Sequence, residues 1–427
     1  MGSGDPQCRR QAGVPMTYLK YQFLLKTLLK TYRSCSLLNQ DGQLLYSKDQ
    51  GSSCLTTTRL VAFQIIKKYL NPKVGDFFIL NDPDNGGYQY GKIIFIAALN
   101  HDLYLIWDED YPQINFKIPP TPLYDQGKKN EFVWQALVGA GPHGTELENF
   151  LTYQKYNCER ILNQKELSQL IADTKSQQLW FKCCSEVFTL HFDNKTHGSF
   201  ESVYRGYPDQ QIKLRFAAEE KQNIRSITLD FTQTQAAGKW HAASHVVESA
   251  LIKKIIDFYQ LSEFLSQSIL DKVRIVLPPR SVVSKAHSSG DNNFELQQVC
   301  SQLCEFNMQQ LNSQQRKATS NFEYQNYLDL RISSDQLMSA SCFTGNNVHQ
   351  QGFEELVNKQ QISLQRMKKI EGSVAISFSV NTSGLTLKVC NHHTHQRAHY
   401  QLKLNNQLLE RGQYELKHGD HVEIATR

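Results

Sequence analysis

The stretch Gly75-Asp76-Phe77-Phe78-Ile79-Leu80-Asn81-Asp82-Pro83-Asp84-Asn85-Gly86-Gly87 leaves the backbone few paths. Phe77 to Leu80 is a short apolar run bounded by turn residues, the pattern of a buried strand. Pro83 keeps Asp82 out of the helical region and forces an extended or turning path. Gly86-Gly87 then permits positive φ or a close approach of the backbone to another group. A second apolar strand is expected from Ile93 to Leu99. A rigid strand therefore carries two polar side chains and two glycines into a tight connection at a sheet edge, a common build for a binding or catalytic loop. An ordinary polar turn, in which Asn81 and Asp82 satisfy the local backbone, has the same spacing.

Around this stretch the chain alternates helical and strand patterns. Leu25, Leu28, Leu29 and Tyr32 have helical spacing, and Asn39-Gln40-Asp41-Gly42 separates two apolar runs as a hairpin turn. Thr56 to Thr58 can cap a helix with Val61, Ala62, Ile65, Ile66 and Tyr69 on one face, ended by Asn71-Pro72. Leu103–Trp107 is expected to be a strand, with Asp108-Glu109-Asp110 following it as a solvated turn. The proline-rich passage Ile118–Tyr124 must be extended. From Gln211 the period changes to two, and the last hundred residues are rich in strands. These patterns predict an α+β fold with mixed and antiparallel sheets, packed helices and a strand-rich C-terminal part. The expected parts are a disordered leader or tag over 1–15, an N-terminal α/β part over 16–210 that holds the loop, and a C-terminal α+β part over 211–427.

Composition narrows the function classes. Of the 427 residues, 40% are apolar and 20% charged, and the net charge of +5 is spread thinly along the chain. No Arg-rich helix, zinc-finger spacing or aromatic-basic interleaving points to nucleic acid. No run of about 18 apolar residues points to a membrane span. The ten cysteines form no CxxC pair, and a share this small in a long chain reads as reduced, buried, cytosolic thiols. There is no nucleophile elbow, phosphate-binding Gly-x-x-x-x-Gly-Lys or dinucleotide fingerprint.

Two groups of residues have metal-ligand chemistry. Asp108, Glu109 and Asp110 could hold a hard cation such as Mg²⁺ or Mn²⁺, although adjacent acids in a turn usually point apart. Cys390, His392, His393, His395 and His399 form the densest soft-ligand cluster. His393 and His395 share a face if they lie on a strand. His143 and His197 sit in Gly-flanked loops, and the adjacent Cys183-Cys184 are either redox-active or core residues.

Taken in order, several segments resemble the hydantoinase B/oxoprolinase family. That family includes N-methylhydantoinase B subunits, the second half of 5-oxoprolinases and the large subunits of acetone- and acetophenone-type carboxylases. Gly75-Asp76-x-x-x-x-Asn81-Asp82-Pro83-x-x-Gly86-Gly87 resembles the family signature. Leu38-x-x-Asp41-Gly42-x-Leu44 resembles its early hairpin, and Ile118-Pro119-Pro120-x-x-Leu123-Tyr124-x-x-Gly127 its Ile-Pro-Pro segment. Asp230-Phe231-Thr232-x-Thr234, Val273–Pro279 and Gly419-Asp420-x-Val422-x-Ile424-x-Thr426 follow in the family's order. The resemblance spans Tyr18 to Arg427 and implies a scaffold that binds a divalent metal and works with ATP bound by a hydantoinase A-like partner. It also implies roles near the reaction for Asn81 and Asp82, with Gly86, Gly87, Gln89 and Lys92 shaping the loop.

The departures from the family bear directly on chemistry. After the two glycines the family has Thr-His-x-x-Asp, whose His and Asp belong to a metal site. Here those positions are Tyr88, Gln89, Tyr90, Gly91 and Lys92. Glutamine replaces imidazole poorly, and an ammonium where a carboxylate belongs repels a cation. The next metal segment is shortened to Trp107–Pro112, and Gln233 stands where the later motif has glycine. The resemblance with these departures implies a pseudoenzyme that serves as a structural or regulatory subunit, with a hydantoinase A-like partner or further copies of itself. An active ATP-dependent cyclic-amide hydrolase or carboxylase subunit, with a metal on Asp82, Asp108, Asp110 and a distant His, is the alternative. An interaction protein using the Gln/Asn-rich surface around Gln309–Gln315 and Gln350–Gln361 is a third reading.

Overall fold

The computed structural model describes residues 16–49, 55–111, 113–114, 116–139, 143–162, 164, 167, 174–195, 197–206, 210–222, 224–238, 241–285, 293–312, 320–322, 328–334, 337–344, 347–348, 362–370, 373–380, 385–391, 400–408 and 412–426. His393 and His395 lie outside them. The fold is α+β, and the chain divides into two compact units, Met1–Ser202 with Lys213–Ser320, and Val203–Ile212 with Asn321–Arg427.

The first unit opens with helix α1 (Met16–Leu28), the hairpin β1 (Ser34–Asn39) and β2 (Leu44–Asp49), and α2 (Thr56–Leu70). Strands β3 (Phe77–Leu80), β4 (Lys92–Ala98), β5 (Leu103–Asp110), β6 (Thr121–Asp125) and β7 (Lys128–Lys129) follow. All pair antiparallel in a sheet of order β2-β1-β5-β4-β3-β6-β7. Helices α3 (Glu131–Gly139), α4 (Gly144–Leu162) and α5 (Thr174–Asp193) come next. A second sheet, of order β11-β10-β9-β8-β12, is built from β8 (Gly198–Gly206), β9 (Gln210–Lys221), β10 (Ile224–Asp230), β11 (Val273–Val276) and β12 (Ser320–Phe322). Its β10 and β11 run parallel, and the chain between them holds α6 (Ser244–Phe258) and the short α7 (Gln267–Leu270). Helix α8 (Asn293–Asn312) packs against α6.

The second unit is dominated by strands. Strands β13 (Leu328–Ser334), β14 (Leu337–Thr344), β15 (Asn347–Val348), β18 (Leu385–Asn391) and β21 (Gly412–Leu416) form one antiparallel sheet. The other contains β16 (Ile362–Ile370), β17 (Ser373–Val380), β19 (Tyr400–Leu404), β20 (Gln407–Leu408) and β22 (His421–Thr426). The strand-rich C-terminal part expected from the sequence is present.

The seven-stranded sheet presents different chemistry on its two faces, because side chains alternate along a strand. Trp107 and Phe95 stack at 5.2 Å on one face. There they meet α4, whose Gln154 accepts a 3.0 Å hydrogen bond from the Trp107 indole. The opposite face carries Ile94, Ile106 and Asp108 toward α2. That helix differs from its sequence pattern. Its inner side holds Thr56, Thr58, Arg59, Ala62, Phe63 and Ile66, whereas Tyr69 is exposed. Thr56 to Thr58 lie inside the helix and do not cap it. The Thr58 backbone N–H is met instead by Ser249 Oγ of α6 at 3.0 Å, a tertiary partner that no local pattern could reveal. Asp108–Asp110 also departs from expectation, since these residues extend β5 and form no turn. Lys92 pairs with Asp110 and Ile94 with Asp108 in the antiparallel register. Their charges remain in the strand because cations from β4 and α2 meet them there.

Candidate functional site

The loop after β3 is tightly fastened. Asn81 is fully buried, and its amide donates to the carbonyls of Tyr90 at 2.7 Å and Phe116 at 3.0 Å, while its Oδ1 accepts from Ile118 N–H at 2.6 Å. One side chain therefore joins the end of β3, the end of the glycine loop and the Ile-Pro-Pro segment. Asp82 caps a 3₁₀ turn over Pro83–Asn85 by accepting from Asp84 N–H at 3.1 Å and from Asn85 Nδ2 at 2.8 Å, and Lys117 Nζ lies 3.3 Å away. These are the bonds of an Asx-turn.

Both glycines are required by space. Gly86 has φ +88°, and a Cβ there would stand 2.6 Å from the backbone nitrogen of Ala62 in α2. A Cβ at Gly87 would lie 2.2 Å from the Asn81 carbonyl. His245, at the start of α6, reaches this backbone from far along the chain, its Nε2 donating to the Gly87 carbonyl at 2.8 Å. Burial depresses the pKa of its imidazole, which fits a neutral ring donating one hydrogen bond. Tyr88 then inserts beside Leu55, Ala243 and Val246. Its hydroxyl donates to Gln297 Oε1 at 2.7 Å, and its carbonyl accepts from Asn293 Nδ2 at 2.8 Å, both from α8. Gln89 is half-buried and contributes its carbonyl to Lys92 N–H at 3.1 Å.

Beyond the loop, a charged network is buried between the sheet and α2. The Lys92 ammonium, with 9% of its side chain exposed, lies 2.8 Å from Asp110 and 3.4 Å from Asp108. Burial alone would favour losing its proton, but the charges of Asp108 and Asp110 outweigh that and hold its pKa above the usual lysine value. Arg59, fully buried, bridges Asp108 at 2.5 Å and Asp49 at 2.7 Å. Its remaining donors meet the hydroxyls of Ser34, Ser36 and Ser47. Asp108 also accepts from Ser34 Oγ at 3.0 Å. Glu109 points to the other face and is half-buried. Burial, with Asp108 and Asp110 adding to it, pushes its pKa up to about 7.

This arrangement does not suit a divalent metal. The carboxylates of Asp108 and Asp110 face a protein ammonium and a guanidinium, so a metal would have to displace a buried cation or stand against it. Asp82 is engaged with the 3₁₀ turn and Lys117. Among the described residues no group of three or more His, Cys, Asp or Glu is placed to hold a metal ion. His143 is an exposed residue 3.9 Å from Glu146, and His197 Nε2 bonds to the Phe192 carbonyl at 3.2 Å. Cys183 and Cys184 are buried thiols, and burial pushes the Cys184 pKa up to about 12.

Four residues that organise the site have little or no signal in the sequence: Arg59, His245, Asn293 and Gln297. Arg59 carries a faint one, a basic residue at an inward helical position between Thr58 and Ala62. The other three are separated from the loop by more than a hundred residues, and nothing local marks them.

No family model and no curated protein matches the chain by sequence. Its fold does match solved structures. The ATP-dependent caprolactamase from Pseudomonas jessenii superposes with a TM-score of 0.69 at 10% identity, over 100% of this chain and 90% of that one. A nucleotide-free structure of acetone carboxylase, from work on ATP-dependent acetone carboxylation, superposes with a TM-score of 0.67 at 9% identity, over 97% of this chain and 73% of that one. Acetone carboxylase is among the proteins that the motif resemblance named, so motifs and fold agree.

Proposed function

We propose that this chain, which has the fold of an ATP-dependent caprolactamase and of acetone carboxylase, is a non-catalytic hydantoinase B/oxoprolinase-type protein, a structural or regulatory subunit of a larger assembly. The observation that carries this reading is Lys92, whose ammonium is buried against Asp108 and Asp110 at the position where the family motif places a metal-binding aspartate. Protein cations neutralise the carboxylates that a divalent ion would need. The loop that remains is architecture, with Asn81 tying three backbone segments together and Tyr88 anchoring the glycine turn among α6 and α8.

The same reading supplies a partner. A hydantoinase A-like chain would bind the ATP for which this chain has no phosphate loop, and this chain would contribute scaffold or control. The buried thiols of Cys35, Cys158, Cys184, Cys300 and Cys304 support a reducing compartment such as the cytoplasm. No helix among the described residues is long and apolar enough to cross a membrane.

The test is an assay of the purified chain, alone and with its co-purifying partner, for ATP-dependent opening of a hydantoin, oxoproline or lactam ring. The proposal expects no turnover that depends on residues of this chain. Turnover abolished by Asp108→Asn or Asp82→Asn, with the fold intact, would establish the active-enzyme reading instead.

A further inference from the structure

Helix α4 buries one side and leaves the other bare. Leu147, Leu151, Gln154, Cys158 and Ile161 are its buried residues. Opposite them runs a row with heptad spacing, Glu146, Asn149, Tyr153, Tyr156 and Arg160, within about 80° of arc at 3.6 residues per turn. All five are exposed, and the two tyrosines keep 60% and 56% of their surface in water. Three apart on a helix, they are neighbours and form one aromatic patch. The buried side already holds α4 to its unit, so this patch serves no purpose in the fold.

The ends of the row say what covers it. Glu146 and Arg160 lie seven residues to either side of Tyr153 and carry opposite charges. Arg160 makes no ion pair among the described residues, and Glu146 has only the exposed His143 at 3.9 Å. A second α4 laid antiparallel across the first, with the two-fold axis at Tyr153, sets each Glu146 against the other copy's Arg160. Tyr153 then meets its own counterpart, and Tyr156 lies against Asn149 of the second copy. A parallel pair would instead oppose Glu146 to Glu146 and Arg160 to Arg160. We propose that the outer face of α4 is an isologous interface through which two copies of this chain pair as antiparallel helices, with Tyr153 on the axis and an ion pair between Glu146 and Arg160 at each end. The pairing uses none of Asn81, Asp82, Lys92 or Asp108, so it holds whether or not the chain is catalytic. Four tyrosines cover less than about 1,000 Å², below the roughly 1,600 Å² of a standard interface, and the dimer is expected to be weak, with a Kd on the order of 10 µM.

Sedimentation velocity of the full chain, purified without an affinity tag and followed from about 1 to about 100 µM, tests this, and a monomer–dimer equilibrium is expected. Tyr153→Glu sets two carboxylates on the axis and should leave monomer only. Arg160→Glu should weaken the dimer about tenfold, because symmetry removes two ion pairs at once. The double variant Glu146→Arg/Arg160→Glu restores opposite charges across the axis and should recover the parent affinity, a rescue that damage to the fold would not allow. The substituted residues are all exposed, and thermal melting within a few degrees of the parent identifies variants that have folded. A monomer at every concentration, a dimer unchanged by Tyr153→Glu, or a double variant as weak as Arg160→Glu would each overturn the proposal. A monomer holding a co-purifying chain that Tyr153→Glu releases would also overturn it, and would give this face to that chain.

Discussion

Replacing Lys92 by methionine keeps the length of the side chain and removes its charge. The ammonium stands 3.4 Å from Asp108 and 2.8 Å from Asp110, but the two pairs differ in weight. Asp110 is 73% exposed, so its pair is worth less than about 1 kcal/mol. Asp108 is buried, and at an effective dielectric constant of about 20 the gross attraction across 3.4 Å is about 5 kcal/mol. Desolvation of the ammonium offsets a large part of this, and Asp108 keeps Arg59 at 2.5 Å and Ser34 at 3.0 Å after the substitution. The net loss expected is therefore about 2–3 kcal/mol, or a fall in Tm of roughly 5 °C for a unit of this size. Because the folded pKa of Lys92 is raised, its contribution is fully present below the unfolded value of 10.5 and is lost only above it. The destabilisation should thus be the same at pH 6 and pH 9. Chemical denaturation of the single variants and of Lys92→Met/Asp108→Asn measures the coupling directly. A cost below about 0.5 kcal/mol for Lys92→Met, or no coupling to Asp108, would mean that the buried Lys92–Asp108 pair does not hold this part of the sheet.

Three further outcomes follow from the same geometry. Gly87→Ala places a methyl group 2.2 Å from the Asn81 carbonyl and should cost more than about 3 kcal/mol, read as a large fall in the denaturation midpoint or loss of soluble protein. Glu109→Gln should flatten one part of the stability–pH curve. With a folded pKa of about 7 against 4.5 unfolded, Glu109 imposes a penalty that grows as pH rises from 4.5 and is complete above 7, so the variant gains up to about 2 kcal/mol at pH 8 and nothing at pH 4. His245→Ala leaves the Gly87 carbonyl unpaired and should cost about 1–3 kcal/mol above pH 6.5. The lowered pKa of His245 means that its contribution is present above its unfolded value and fades as pH falls, so the gap between parent and variant narrows in acid.

How far the sequence foretells this structure depends on the range of the interactions. Phe77–Leu80 is a strand because four apolar residues between turn formers leave little choice, and its bounds agree with the structure. Gly86 and Gly87 announce a close approach, though only the fold shows that the neighbours are Ala62 and Asn81. Asp108-Glu109-Asp110 misleads because a run of acids favours water when judged alone. Register and packing supply Lys92 across the sheet and Arg59 from the helix, and the strand continues through them. His245, Asn293 and Gln297 reach the loop only through tertiary packing, at separations of 158, 205 and 209 residues from their partners. The site is thus half legible, in its local turn and in the odd lysine, and illegible in the helices that hold it.

Lys92 and Arg59 set their charges against Asp108, where a metal held by the Asp108–Asp110 pair would have to stand. Calorimetric titration of the full chain, purified without an affinity tag and stripped with chelator, with Mn²⁺ and with Mg²⁺ tests it most directly. Neither ion is expected to bind stoichiometrically at the Asp108–Asp110 pair. One equivalent bound by the parent and lost in Asp108→Asn would contradict it.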